Sequence, residues 1–550
     1  MHVLDDPDPP KAQRVTGEKV LKEARARNCH SSTHAHHVAN FHPILTLFYH
    51  VLLAYSYKIP AGLVYTPPFD PLFPHVFAPA AAAAAAATGY GLYSYLSSRV
   101  PSKGKYPIGT LPADAYDVVI VGAGPSGSTC GYYASKAGAK VALLDKETFP
   151  RDKYCGDAVC ALAIHTLNEM GVMQELEKHG EAHYADSGGF VSPSGICYIG
   201  RSEKKLGEAA ACAVKRINLD KRIAWKARDT GAELRENFEV ESATFNAHAG
   251  LWSVKNTKGQ EVRGRLLVCA DGATSRLATK LGYCTEAPQG VCSRAFVKGG
   301  THNTDFDGVC FYQRESLPGY SAIFKHPNDE LNYCYYLIPT DNKGNCGNVR
   351  ESDLARLHND AIKKDPFIAR ALGPNVEIER MRVAPLRLGG QGLKQNHDDH
   401  LLIIGDAAGH IDPLTGEGIH TAILGGKAAA ETLLAMRSTG DFSKRSCSQY
   451  DSKIYKLFTH DFGASKLMAQ AIYKLPILMD AVASETQRQG DPMMAKWAEV
   501  MTNMRSKTYF LRPDIAVTLG VAIVREAIEQ YVFGKTDKYM QGGSVVASYN

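Results

Sequence analysis

A chain of 550 residues holds two to four structural units at roughly 100 to 200 residues each, and it can bury a large core. Hydrophobic residues make up 45 % and charged residues 22 %, ordinary globular usage that excludes wholesale disorder, a collagen-like repeat and a polytopic membrane transporter. A net charge of +5, from 62 basic and 57 acidic residues, is too balanced to attract a polyanion, so no nucleic-acid partner is expected. The thirteen cysteines, scattered from Cys29 to Cys447, lack the paired spacing of a disulfide framework or a zinc site and point to a reducing compartment.

Residues 1–109 differ in texture from the rest and read as an N-terminal extension. Six Lys or Arg lie in residues 11–27, after which no Asp, Glu, Lys or Arg appears from Asn28 to Tyr57, nor from Pro71 to Ser98. Phe77 to Leu96 has Pro79 where a first-turn proline belongs and eight alanines behind it. That predicts a helix long enough, at ~1.5 Å per residue, to span a bilayer core. With a weaker apolar segment over 44–65 and the basic residues Arg99, Lys103 and Lys105 behind, 44–65 and 77–96 read as a membrane hairpin whose flanks and following domains face the cytoplasm. The alternative is a low-complexity alanine linker. His30, His34, His36, His37 and His42 read as a solvated tract, and no metal site is expected.

At Tyr116 the pattern becomes strand, tight turn, helix, strand. Val118 to Val121 is an unbroken β-branched run, as in a buried parallel strand, and Gly122, Gly124 and Gly127 complete G-x-G-x-x-G behind it. The first glycine permits the turn, the second lets backbone approach a pyrophosphate, and the third allows close helix packing, with the phosphates at the helix N-terminus. Asp145, followed by Lys146, closes the next strand where an acid holds an adenosine ribose.

Two later segments narrow the dinucleotide to a flavin. Asp271 and Gly272 follow one buried strand, and Gly405 and Asp406 follow another; a carboxylate at a strand mouth can accept a ribityl hydroxyl. Behind the second come Pro413, Gly416 and Gly418, a turn into a helix whose N–H groups and dipole would stabilise a reduced, electron-rich ring.

Together these motifs resemble the FAD-binding set of the p-hydroxybenzoate hydroxylase superfamily. Within it, Phe149 to Val159 (FPRDKYCGDAV) looks like the P-x-x-K-x-C-G signature of the geranylgeranyl reductase family. Gly405 to Ile419 resembles the same family, as does Val214 to Leu234, with Arg216 and Asp220 in its R-x-x-x-D segment. The likeness runs from about Asp117 to the end, including NMRSKTYFLRPDIAV, which resembles the family's closing helices; the N-terminal extension lies outside it. One strand departs: where the family reads Y-x-W-x-F-P, this chain has Cys334, Tyr335, Tyr336, Leu337, Ile338 and Pro339. That strand lines the prenyl site in relatives.

The resemblance implies saturation of C=C bonds in a polyprenyl lipid or prenyl diphosphate. Such an alkene resists hydride alone, so a proton donor must accompany reduced FAD. The family places the thiol of Cys155 beside the flavin, which makes Cys155 the first candidate; its alternative is a small buried hydrophobe. Lys153 pairs with a phosphate of FAD or substrate, or is solvated. Arg216 is expected to fix the cofactor or to be a surface helix charge, and Tyr336 to touch substrate. At least one of His410 and His420 is expected to be structural, Glu417 to orient its loop, and the run His397 to His400 to be a loop and no metal cluster. No second G-x-G-x-x-G unit appears for a nicotinamide, so NAD(P)H docks transiently or an electron-transfer protein supplies electrons.

The expected fold is α/β. A Rossmann-like FAD domain is built from 115–187, 212–290 and 381–440; a mainly antiparallel substrate sheet from 188–211 and 291–380; and a helical region from 441–550. Rival readings are a flavin monooxygenase or halogenase on the same scaffold, and a non-catalytic prenyl-binding escort such as the Rab GDP-dissociation inhibitors.

Overall fold

In the strand Ala115–Val121 every residue is buried, and alternate side chains enter two different cores. Val118 and Ile120 join one, while Tyr116, Val119 and Val121 join the other, the period of two that a strand covered on both faces requires. In this computed structural model, residues 111–534 are described apart from 202–210, 299–305, 342–344, 347–348 and 374–375. The segments 44–65 and 77–96 therefore lie outside the described residues. Among the described residues no helix is long and apolar enough to cross a membrane.

Ala115–Val121 is the centre of a parallel sheet. The strands run in the order Leu401–Ile403, Glu261–Cys269, Ala115–Val121, Val141–Leu144, Glu233–Arg235. The short strand His397–Asp398 closes one edge antiparallel, and Val240–Asn246 with Leu251–Asn256 forms a hairpin laid antiparallel on Glu261–Cys269. The mouths of three neighbouring strands carry Gly122, Asp271 and Asp406 side by side, the crevice where open α/β sheets bind ligands.

The second large sheet runs Glu377–Ile378, Gly290–Lys298, Leu331–Leu337, Tyr320–Lys325, Gly308–Phe311, Ser187–Val191, Cys197–Arg201, with Arg382–Leu386 also paired to Gly290–Lys298. Its pairs are antiparallel except Gly308–Phe311 with Ser187–Val191. In Leu331–Leu337 the odd residues Tyr333, Tyr335 and Leu337 pack with Leu354, Leu357 and Ile368 of two covering helices, while Tyr336 packs with Ile411 and Leu414 of the FAD unit. Both faces are buried, so this strand reads as tyrosine-rich without an apolar-polar alternation. A third, three-stranded sheet joins Ala158–Cys160, Ala211–Val214 and Ala182–Ala185. The boundary expected between 211 and 212 thus falls inside one strand, because this small sheet gathers its members from three distant segments.

Helices from Lys444 onward close the far side. Asp480 of the helix Ile477–Gln489 accepts hydrogen bonds from Ser192 Oγ at 2.7 Å and Ser194 N at 2.9 Å, pinning the helices to the second sheet. The helix Pro513–Ala527 packs on Ile477–Gln489, with Ile515, Ala522 and Ala527 buried. On its other side Val517, Val521, Val524, Ile528 and Val532 form an exposed stripe at helical spacing, and no charged residue occurs from Ile515 to Val524.

Candidate functional site

Gly122 takes a φ of +104°, and a Cβ there would lie 2.2 Å from the carbonyl oxygen of Ala270, so only glycine permits this turn. Gly124 is the N-cap of Pro125–Lys136 and supplies no side-chain cap, leaving the first N–H groups of that helix available to a ligand. Gly127 sits against the carbonyl of Gly122, where a side chain would close the turn.

Asp145 is tied into this turn: Oδ2 accepts from Ala123 N at 2.9 Å and lies 3.3 Å from Arg151 Nη2, while Oδ1 accepts from Glu147 N. Arg151 also donates to Asp220 at 2.8 Å, and Asp220 receives both Nε and Nη2 of Arg216. Arg216 is buried and paired, hence no surface charge. Burial opposes ionisation of Asp220, but the two guanidiniums outweigh it and hold the carboxyl below its ordinary range. The charge-balanced chain Asp145–Arg151–Asp220–Arg216 sets one guanidinium beside Gly124, where a Cβ would lie 3.7 Å from Arg151 Nη2. Arg151 went unnoticed in the sequence because it stands at an unspecified position of the P-x-x-K-x-C-G segment. Lys146 points into solvent beside Glu147, at 3.8 Å, and joins none of this.

The two strand-end acids differ. Asp271 caps its own short helix, accepting from Ser275 Oγ at 2.7 Å and Leu277 N at 3.0 Å, with Gly272 behind it at φ +82°. Both its oxygens accept locally, one bond each. Asp406, which follows Gly405, pairs with Lys153 Nζ at 2.7 Å, a partner 253 residues away that the sequence does not announce. Both are partly exposed.

The loop 412–418 is held from three sides. Asp412 Oδ1 accepts from Leu414 N and Thr415 N, and its Oδ2 receives Ser465 Oγ at 2.8 Å and Lys507 Nζ at 3.0 Å. Tyr320 donates to the carbonyl of Thr415 at 2.5 Å. The ring of Tyr336, the residue expected to touch substrate, lies against Gly416. Pro413 stands over Gly389, and Gly418 is the uncapped N-terminus of Ile419–Thr439.

Between this loop and the second sheet, Cys155, Cys292, Cys310, Tyr320 and Glu417 each keep some open surface. Burial nevertheless leads the causes that push the three thiols up, to about 12 for Cys310. Cys334 adjoins Gly156, whose Cβ would lie 3.4 Å from its Sγ. Asp157, on the far side of Gly156 at φ +63°, is fully buried with Asn332 and Arg294; burial raises it to about 7. Glu417, Cys160 and His420 bring one ligand-type atom each within 4.8 Å of one another, a grouping the sequence does not announce because 257 residues separate Cys160 from Glu417. Burial lowers His410 and His420 to about 4, leaving both neutral. His410 is structural, packed on Phe458 and bonded to Asn396. Side chains of the run His397 to His400 diverge, toward Asp451, Tyr283, Lys444 and Arg265.

A glycine cradle, an uncapped helix N-terminus at each end and the partly exposed strand-end carboxylate of Asp406, paired with Lys153, fit FAD in residue type and placement. A family model described as FAD binding domain matches residues 115–457. The chain belongs to that family. It is a FAD-dependent flavoprotein of an oxidoreductase family, with 46 % identity over 475 residues to Conditioned medium factor receptor 1 of Dictyostelium discoideum, covering 82 % of this chain and 91 % of that one. Menaquinone reductase of Mycobacterium tuberculosis is 31 % identical over 326 residues, covering 58 % and 77 %. Digeranylgeranylglycerophospholipid reductase 1 of Methanosphaera stadtmanae is 29 % identical over 375 residues, covering 67 % and 85 %. Among solved structures, a geranylgeranyl bacteriochlorophyll reductase-like protein of Thermoplasma acidophilum superposes with a TM-score of 0.58 at 20 % identity, covering 74 % and 99 %. The flavin-dependent brominase Bmp2 does so at 0.59 and 20 %, covering 76 % and 100 %. At such identities the two structures share the fold.

Proposed function

We propose that this flavoprotein saturates C=C bonds of a polyprenyl group on a lipid or prenyl diphosphate. What supports the reading is the packing of Tyr320 and Tyr336 of the second sheet against the loop 412–418, together with the partly open thiols of Cys155, Cys292 and Cys310, an apolar set that suits a hydrocarbon chain. Relatives named as prenyl-lipid and quinone reductases support the same substrate class. Gly122, Gly124 and Gly127, with Arg151 and Arg216 behind them, would hold the pyrophosphate; Asp145 the adenosine ribose; Asp406 with Lys153 the ribityl chain; Gly416 and Gly418 the flavin ring. Bound FAD supplies a hydride when reduced. Cys155, on the turn Lys153 to Gly156, is the thiol placed against the reacting bond, and burial keeps it protonated at neutral pH. NAD(P)H docking on the FAD unit is the proposed electron source. The exposed stripe Val517 to Val532, on a helix charge-free from Ile515 to Val524, supports seating of the enzyme on a lipid surface where such substrates dissolve.

The test is mass spectrometry of geranylgeranyl diphosphate and lipid extracts incubated anaerobically with dithionite-reduced enzyme. A gain of two hydrogens per step supports the reading. A requirement for oxygen with incorporation of oxygen or halogen would favour the second reading, a monooxygenase or halogenase, which a chlorinase relative 27 % identical over 435 residues keeps in view. A colourless protein that binds prenyl chains without turnover would leave an escort or receptor role, in line with the name of the Dictyostelium relative.

A further inference from the structure

The loop 152–157 carries both Lys153 and Cys155 and bridges the two large sheets. On one side Lys153 Nζ reaches Asp406 Oδ2, just past the strand Leu401–Ile403, at 2.7 Å. On the other side the loop lies on the second sheet, where a Cβ on Gly156 would meet Cys334 Sγ at 3.4 Å and Phe324 Cε2 at 3.6 Å. Two side chains of that sheet grip it. Arg294 donates to the two oxygens of Asp152 at 2.7 and 3.2 Å, and its guanidinium lies 5.4 Å from the centre of the Tyr154 ring. Asn332 holds the middle: Nδ2 donates to the carbonyl oxygen of Cys155 at 3.1 Å and to Asp157 Oδ2 at 2.9 Å. We infer that Asn332 is the positioning residue of Cys155, fixing where its thiol stands by holding its backbone carbonyl. The inference rests on the reductase reading above and deepens it, since there Cys155 is set against the reacting bond.

The residue type at 332 follows from its partners. Both are oxygens, a peptide carbonyl and a carboxylate, so the place calls for two N–H donors on one short side chain. An amide supplies them; a hydroxyl supplies one, and a carboxylate or a hydrocarbon none. Asn332 is fully buried, and the rest of its strand is leucine, tyrosine and one cysteine, surroundings in which an amide is costly unless bonded. Its backbone is a rigid support, paired in register with Phe296 on one side and Phe324 on the other. The loop has no regular structure of its own, and a thiol on such a loop keeps one geometry only where a firmer element imposes it. The carbonyl of Asp157 accepts from Val214 N at 3.1 Å, which fixes the end of the loop. Asn332 extends that hold inward by two residues, to Cys155 itself.

The test crosses Asn332→Ala with Cys155→Ala in the full chain loaded with FAD. Alone, Asn332→Ala should keep FAD and slow saturation of geranylgeranyl diphosphate by ~5-fold or more, through kcat with KM little changed. In the Cys155→Ala background it should slow the reaction by no more than ~2-fold further, because the thiol through which the amide acts is gone. Independently of turnover, peptide mass spectrometry should show the rate of Cys155 alkylation by iodoacetamide changed by ~3-fold or more in Asn332→Ala. The exchange Asn332→Asp with Asp157→Asn separates position from stability. Asparagine tolerates the φ of +63° at 157, and the exchange renews the bond between 157 and 332 while leaving the Cys155 carbonyl without its donor. The denaturant midpoint should then recover, with alkylation and rate staying as in Asn332→Ala. More than ~2-fold further slowing in the Cys155→Ala background, a change in alkylation below ~3-fold, or recovery of the rate in the exchange variant would overturn the inference and leave Asn332 a structural residue. If Asn332→Ala does not fold, alkylation of Cys155 in the exchange variant decides by the same threshold. A wild type that holds FAD but saturates no prenyl chain overturns the reductase reading, whereas the hold of Asn332 on Cys155 then stands or falls on alkylation alone.

Discussion

Lys507 Nζ lies 3.0 Å from Asp412 Oδ2, both side chains being almost wholly enclosed, and this contact ties the closing helices to the loop beside the flavin site. Asp461 stands 3.7 Å from the same ammonium, and Asn503 accepts from it. Removing one partner leaves a buried charge uncompensated, so Lys507→Met should cost about 3 to 5 kcal/mol in denaturant unfolding. The double variant Lys507→Met, Asp412→Asn should recover part of that loss.

The neighbours Asp412 and Glu417 give stability opposite dependences on pH. Lys507 outweighs burial and holds Asp412 below its ordinary 3.8, so its contribution is complete above that value and is lost as pH falls through the lowered one. Glu417 is raised from 4.5 to about 7, so the folded chain keeps a proton that the unfolded chain releases; stability is full below 4.5 and falls by about 3 kcal/mol as pH rises to about 7. Glu417→Gln should flatten that fall while leaving the acid limb, as followed by denaturant midpoints across pH.

Gly416 has φ +71°, and a Cβ there would lie 2.8 Å from Cζ of the Tyr336 ring. Gly416→Ala combines left-handed strain with a clash against a buried ring, and should cost about 1 to 3 kcal/mol and weaken FAD retention. Shortening the ring in Gly416→Ala, Tyr336→Leu should relieve the clash and leave the strain, measurable as partial recovery of bound FAD.

Cys155→Ala should leave FAD content unchanged, alter the flavin absorbance envelope, and slow saturation by ~10-fold, with Cys155→Ser intermediate. Loss of FAD in Cys155→Ala would place the thiol in cofactor retention and remove it from the reacting bond.

Val521→Asp with Val524→Asp puts two charges on the exposed stripe, away from the buried Ile515 and Ala522. Flotation with phosphatidylcholine vesicles should drop by ~10-fold or more while the unfolding free energy of the folded domains stays within about 0.5 kcal/mol of wild type. Equal flotation of both proteins would place the lipid contact elsewhere.

The sequence alone determined the parallel strand at Val118, the glycine turn and the acids at strand ends, because these depend on backbone demands that only a few residue types meet at fixed short spacing. The strand Leu331–Leu337 was also recognisable, although its two faces were not, since tyrosines on either side look alike until the covering helices and the loop 412–418 assign them. Only the tertiary structure decided what long-range pairing decides. Asp271 turned inward to its own helix, Lys153 met Asp406 across 253 residues, Arg151 joined Arg216 through Asp220, and Glu417 came to stand beside Cys160 and His420. The reason is physical: local spacing fixes φ, ψ and caps, whereas the partner and ionisation of a charged side chain follow from burial and from neighbours that the chain brings together only when its sheets and helices pack.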